Sequence, residues 1–347
     1  MPPFPPMRHL YRIGFVLTAA LILHWPDALG SHVAFNGEIE IGARPLAFAL
    51  SDPARSQFGR LTLLSALELD GPRGFGGISD LLVTRDGSSM LAISDSGHWI
   101  GAKLVYAGDR LTDLREGLIS SVRDRLGAPL TSKEEYDAEG LASLDGPYLG
   151  KHVLVSFERN HRLVAYDLGA DGMPGRAGRE IRPPAFRTLP GNGGIEALAA
   201  FTAGMPLAGK ILAVAERNPA DRDHHQGWLI DPAHIEQATQ VAISRSDQFD
   251  ATDLAVLPDG DVLLLERRYT PFLGAAMRLR LLAAAEIASG QPVEGTLLLD
   301  ADAAYAVDNM EALATHQDAE GRTIITIMSD DNFNSNQRTL LLQFRLD

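Results

Sequence analysis

The chain has 347 residues, 45% of them hydrophobic, and carries a formal net charge of −14 with no cysteine. A chain of this size buries a full core without disulfides, and the missing thiols exclude a cysteine nucleophile, a zinc–thiolate centre and an iron–sulfur site. So acidic a surface argues against DNA, RNA and anionic lipid as partners and is compatible with cations.

Residues 1–30 stand apart from the rest. Arg8 and Arg12 precede an apolar run at residues 13–23, and Ala28-Leu29-Gly30 supplies the small residues that a signal peptidase cuts after. The pattern is that of a secretory signal peptide, with an uncleaved N-terminal anchor as the alternative. It places residues 31–347 in the periplasm or outside the cell as one domain. No other run reaches transmembrane length, so no integral membrane segment is expected in the mature chain. Residues 31–75 hold two strand-like runs, 33–41 and 60–69.

From residue 76 onward one frame recurs five times, at residues 76–97, 137–168, 192–218, 249–268 and 308–332. Each copy has short apolar runs separated by turn residues, the pattern of an antiparallel meander. An acid opens the first run (Asp80, Glu139, Glu196, Asp253, Glu311) and another closes the next (Asp95, Glu158, Glu216, Glu266, Asp330). The opening acids lie 59, 57, 57 and 58 residues apart. A strand-built period a little above fifty predicts an all-β fold, a β-propeller with one blade per repeat. The fifth repeat has only residues 340–346 after its acidic turn and so lacks an outer strand; residues 60–69 are the N-terminal strand expected to close it against 339–346. Five repeats give five blades, or six if residues 33–69 build more than a closing strand.

Between the repeats, residues 117–127 (GLISSVRDRLG) read as a short surface helix. Residues 170–190, rich in Gly, Pro and Arg, read as loop, and residues 233–239 and 281–289 as one or two helical turns each. Asp167 to Gly172 lacks the middle ligand and the terminal Glu of a calcium loop and reads as a turn.

In a propeller, equivalent positions of successive blades meet at one height around the axis. The ten repeat acids therefore converge on the channel mouth, where they need a cation, a proton or an arginine to offset their repulsion. Oxygen-only ligands favour a hard cation, calcium first, held by Asp80, Asp95, Glu139, Glu158, Glu196, Glu216, Asp253, Glu266, Glu311 and Asp330. The alternative is a structural network, since Arg159, Arg217 and Arg267 each follow a closing acid. Glu139, Glu196 and Glu311 are the candidate catalytic carboxylates. Arg159, Arg217, Arg338 and His98 are the candidates for holding an anionic substrate. His224-His225 reads as a solvated loop. No G-x-S-x-G, H-E-x-x-H or Walker loop is present.

Four groups of residues together resemble the "esterase-like activity of phytase" family of exported bacterial proteins. They are Gly77-Ile78-Ser79-Asp80 with Ile93-Ser94-Asp95, Asp137-Ala138-Glu139-Gly140-Leu141 with Ser156-Phe157-Glu158-Arg159, Gly193-Gly194-Ile195-Glu196-Ala197-Leu198, and Ser329-Asp330-Asp331-Asn332-Phe333 with Gln337-Arg338-Thr339. The resemblance implies a β-propeller similar to alkaline phytases, hydrolysis of esters, and calcium dependence. The expected function is a calcium-assisted hydrolase of small anionic esters or phosphoesters at the channel mouth. The alternative is a non-catalytic propeller that binds a ligand or an envelope protein.

Overall fold

The computed structural model describes residues 35–347. The expected signal peptide lies outside them. Among the described residues no helix is long and apolar enough to cross a membrane.

Five antiparallel sheets form the blades of a propeller. Their innermost strands are Ile78–Val83, Ala138–Ser143, Ile195–Ala200, Asp250–Val256 and Asn309–Gln317. Each packs on the next, and the fifth packs back on the first, which closes the ring. The apolar core is divided the same way, into five clusters that each fill the space between two neighbouring blades. Both faces of a blade are therefore covered, and its middle strands lose polar alternation. Ile211–Ala215 is buried at every position.

The chain closes the ring at its N-terminal end. Leu61–Asp70 pairs antiparallel with Thr339–Leu346 in the fifth blade, from Thr339 opposite Leu69 to Leu346 opposite Leu61. This is the expected closure, displaced by one residue, and it fixes the blade count at five. Residues 35–60 add cover rather than a sixth blade. Gly42–Pro45 pairs on the outer side of Leu61–Asp70, and Asn36–Ile39 pairs with the outer strand of the first blade. One short segment thus straps both sides of the seam.

Two readings of the connections need correction. Residues 117–127 are not a helix: Arg110–Ser121 is a strand, paired with His98–Ala107 on one side and Asn36–Ile39 on the other. Residues 170–190 are not simply loop, for Pro174–Ile181 is the outer strand of the second blade and Pro184–Thr188 a 3-10 turn. The turns expected at 233–239 and 281–289 are present as Ile235–Gln237 and Ala284–Ala288.

Candidate functional site

Every innermost strand carries a β-bulge at the same height. The register against its neighbour slips at Ile78/Asp80, Ala138/Leu141, Ile195/Ala197, Ala251/Asp253 and Met310/Ala312. The residues in the slip are Ser79, Glu139, Glu196, Thr252 and Glu311. A bulge inserts an unpaired residue and re-aims its side chain. Here it turns Glu139, Glu196 and Glu311 into the channel mouth, with Ser79.

The opening acids are consequently of two kinds. Asp80 and Asp253 follow the bulge by one residue, and along a strand one residue reverses the side-chain direction. They are buried, outside the mouth, and hydrogen-bonded to each other. Each also accepts backbone N–H groups: Asp80 from Leu81 and from Leu141 of the second blade, Asp253 from Leu254 and from Leu313 of the fifth. The metal role expected for these two is replaced by one of tying four blades together.

The closing acids divide in the same way. Ala251 faces Glu266, whereas Ile195 faces Ala215 and Met310 faces Ser329. Arg267, not Glu266, is therefore the fourth-blade equivalent of Asp95, Glu158, Glu216 and Asp330. Glu266 lies elsewhere, bound by Arg280 (2.8 Å) and His225 (2.7 Å) between the third and fourth blades. Nothing in the acid spacing signalled that exchange, and Arg267 is the main functional candidate it hid.

The mouth is a cavity of about 190 Å³ into which eight carboxylates project among the described residues: Asp95, Asp137, Glu139, Glu158, Glu196, Glu216, Glu311 and Asp330. Lys133, Arg159 and Arg267 line it too. Lys133, from the short helix Lys133–Tyr136, bridges Asp95 (2.9 Å) and Asp137 (2.5 Å), and Arg159 holds the other Asp137 oxygen at 2.6 Å. Arg267 bridges Glu216 (3.3 Å) and Glu311 (2.9 Å). Glu158 accepts from the backbone N–H groups of Gly193 and Gly194. Asn309 donates to Glu311 (2.9 Å) and Asp330 (3.5 Å). The Glu139 and Glu196 side chains make no hydrogen bond or ion pair among the described residues.

The remaining candidates lie at or beyond the rim. Arg217 binds Glu216 at 3.1 Å and Asp250 at 3.6 Å, half exposed. Arg338 sits on the fifth blade, 3.9 Å from Glu68 and 3.7 Å from Asp308, away from the mouth. His98 is buried in the first blade, its ring 5.5 Å from Phe35 and Nδ1 3.1 Å from the Ser96 hydroxyl. It contributes no surface to the cavity. His224 is bound by Asp221.

The surplus of negative charge marks the proton affinities. Burial raises Glu139 well above the carboxylate range, and Glu196 and then Asp137 raise it further. Burial does the same to Glu196, reinforced by Glu216 and Glu311, and to Asp330, reinforced by Asp95 and Glu311. Glu311 is pushed up to about 7 by burial, with Arg267 opposing.

Asp137, Glu139 and Glu158 each offer an oxygen within 4.8 Å of the others. This donor set fits a hard cation: it is all carboxylate, one member is unpartnered, and Glu158 uses a single oxygen for its two backbone donors. All three lie in or beside the two inner strands of the second blade, and Arg267 reaches the same cavity from the fourth.

Comparison with known proteins agrees with the family read from the motifs. The model of a family described as "Phytase-like: Esterase-like activity of phytase" matches residues 73–333, most of the chain, and the chain belongs to that family. No curated protein matches it. Among solved structures it is similar to "Structure of the Neurospora crassa Pan2 WD40 domain" at 11% identity, covering 84% of this chain and 96% of that one with a TM-score of 0.39. "Structure of U3-55K" is similar at 11% identity, covering 82% and 98%, with a TM-score of 0.36.

Proposed function

We propose that this member of the esterase-like-activity-of-phytase family is an exported, metal-assisted hydrolase of esters or phosphoesters, with its site at the channel mouth. The observation that carries this reading is the charge imbalance there. Eight carboxylates share four cationic side chains, Arg217 on Glu216 at the rim included, and Glu139 and Glu196 are left with none. Buried carboxylates so placed require protons or a cation.

Asp137, Glu139 and Glu158 are the residues that would hold calcium. When bound, it supplies Lewis-acid polarisation of the ester or phosphoryl oxygen and a more acidic water. Glu196, unpaired and with its proton affinity raised by burial and then by Glu216 and Glu311, is the candidate general base. Arg267 stands on the opposite side, anchored by Glu216 and Glu311, and presents positive charge to an anionic substrate or to a developing oxyanion. Lys133 and Arg159 hold the two Asp137 oxygens in place. A binding propeller without catalysis is the second reading, favoured by how fully Asp137 is occupied by those two cations.

Calcium should raise the melting temperature in a concentration-dependent way, by about 2.7 kcal/mol of stability at a hundredfold excess over its dissociation constant. Glu139→Gln keeps the side-chain shape and removes a ligand charge. It should weaken both that response and the turnover of a 4-nitrophenyl ester or phosphate. A melting temperature indifferent to calcium and to chelator would reject the metal, and intact melting responses without turnover would favour the binding propeller.

A further inference from the structure

A second cleft, about 630 Å³, opens beside the mouth between the fourth and fifth blades. One wall is the hairpin joining Val262–Thr270 to Gly274–Leu282, and the other includes the loop from Asp330 to Thr339. Arg267 lines both cavities. Asn309 lines the cleft and gives its amide to Glu311 and Asp330 of the mouth, so the two spaces are joined through shared residues.

The hairpin outreaches its own blade. The inner strand stops pairing at Asp250 opposite Arg267, while residues 268–270 go on to pair with 276–274 alone. Those three pairs lift the hairpin about 10 Å above the rim, with Tyr269 lining the cleft and 69% exposed. The opposite loop holds its shape against strain. Asn332 and Phe333 both have left-handed backbone, at φ 48° and 49°, costly for a phenylalanine. Asp331 fixes them, accepting from the Phe333 and Gly77 N–H groups.

Four side-chain amides, Asn309, Asn334, Asn336 and Gln337, line it beside Tyr269, Arg268 and Asp308. The Gln337 amide makes no hydrogen bond among the described residues. Each amide sets donors beside an acceptor, which matches neighbouring hydroxyls that both give and take protons. An exposed tyrosine adds an aromatic face for C–H groups and a phenol for one more hydrogen bond. An anion would need a cation directed into the cleft, but the Arg267 guanidinium is turned to Glu216 and Glu311 in the mouth, Arg268 lies over the Phe249 ring and donates to the Asp247 carbonyl, and Asp308 adds negative charge to the lining. A long acyl chain would need an apolar wall in place of the amides.

We propose that this cleft binds a neutral sugar and, resting on the hydrolase reading above, holds the sugar part of an ester whose ester group lies in the mouth. The full mature chain would be probed on an array of neutral glycans. The best glycan would then be titrated calorimetrically as its methyl glycoside, with and without chelator. Binding is expected in both conditions. Tyr269→Ala and Gln337→Ala should each weaken it about tenfold while leaving the melting temperature and the calcium response unchanged, since both side chains border solvent. In turnover, Tyr269→Ala should raise KM for the acetylated glycoside without lowering kcat. Absence of glycan binding at millimolar sugar would overturn the subsite, as would binding that ignores both substitutions. Sugar binding lost in both variants, with no turnover of the sugar ester, would uphold the subsite and reject the hydrolase.

Discussion

A chain cut back to residues 71–347 should aggregate rather than fold. The deletion removes Leu61–Asp70, the strand that covers Thr339–Leu346 along its whole length, together with Gly42–Pro45 outside it. Phe48, Phe58, Leu61, Leu67 and Leu69, all buried, leave with them. At about 1.5–3 kcal/mol for each large apolar side chain, the loss is about as large as the whole stability of an ordinary domain. What remains exposes Leu342 and Phe344 on an open sheet edge, a template for pairing with another chain. Size-exclusion chromatography and a urea melt decide the matter. A soluble 71–347 fragment with a single cooperative transition would mean that a three-stranded last blade suffices and that the N-terminal strand is cover, not closure. Removal only as far as residue 45 should be much milder, because it strips the strap and leaves the closing strand paired.

That closure was legible because residues 60–69 carry an apolar run with no partner of their own, while the fifth repeat is one strand short. The blade interiors were legible for a related reason: strands buried on both faces read as continuous apolar runs. Outer strands are different. Pro174–Ile181 has the sequence PGRAGREI, and most of its side chains face water, so it lacks the pattern that distinguishes strand from loop. Arg110–Ser121 pairs on one edge with its hairpin neighbour His98–Ala107 and on the other with Asn36–Ile39, distant in sequence. Its local pattern suits a helix, and tertiary pairing overrides it.

The convergence of acids on one mouth was also visible in the repeat, but their individual roles were not. Periods of 57 to 59 residues align blades only to within about one position, and in a strand one position reverses the face. The bulge absorbs that position, so Asp80 and Asp253 fell into line with Glu139, Glu196 and Glu311 although Ser79 and Thr252 are the true equivalents. The same slip placed Glu266 among the mouth acids and left Arg267 with a structural pairing role alone. Lys133 reaches the site from the connection between the first and second blades, outside the repeats, and Asp137 opens the second repeat at a position that is not one of the ten repeat acids. Pairing register, which only the folded sheet reveals, separates the ligating carboxylates from the structural ones.

The Asp80–Asp253 pair should be worth more to stability than any mouth acid, and its contribution should depend on pH. Two buried carboxyls in hydrogen-bond contact resist ionisation, the second more than the first. Burial raises Asp80 to about 8, against the opposing hydrogen bonds from Asp253, Leu141 and Leu81. Burial and then the charge of Asp80 lift Asp253 further above the aspartate range, so Asp253 carries the proton and donates it. Asp80→Ala should cost about 3–5 kcal/mol at neutral pH, because it strands a buried partner and leaves the Leu81 and Leu141 N–H groups without acceptors. Asp253→Ala should cost a similar amount through Leu254 and Leu313. The double variant should cost less than the sum, since the contact between the two is lost only once. The sign of the pH effect follows from proton counting. Between the ordinary aspartate value near 4 and about 8, the folded pair keeps both protons that the unfolded chain has released, and above about 8 Asp253 alone keeps one. Stability therefore falls as pH rises through that window, by about 1.4 kcal/mol per unit for each retained proton. Glu139, Glu196, Glu311 and Asp330 act in the same direction, but they remain in the double variant and cancel in the difference. Urea melts in chelator at several pH values below about 8 should give a shallower fall for Asp80→Ala/Asp253→Ala than for the parent, by the slope of the pair's retained protons. Equal slopes, or single variants costing under about 1 kcal/mol, would mean that the two carboxyls are held apart in solution and that the inner strands are tied by their apolar layers alone.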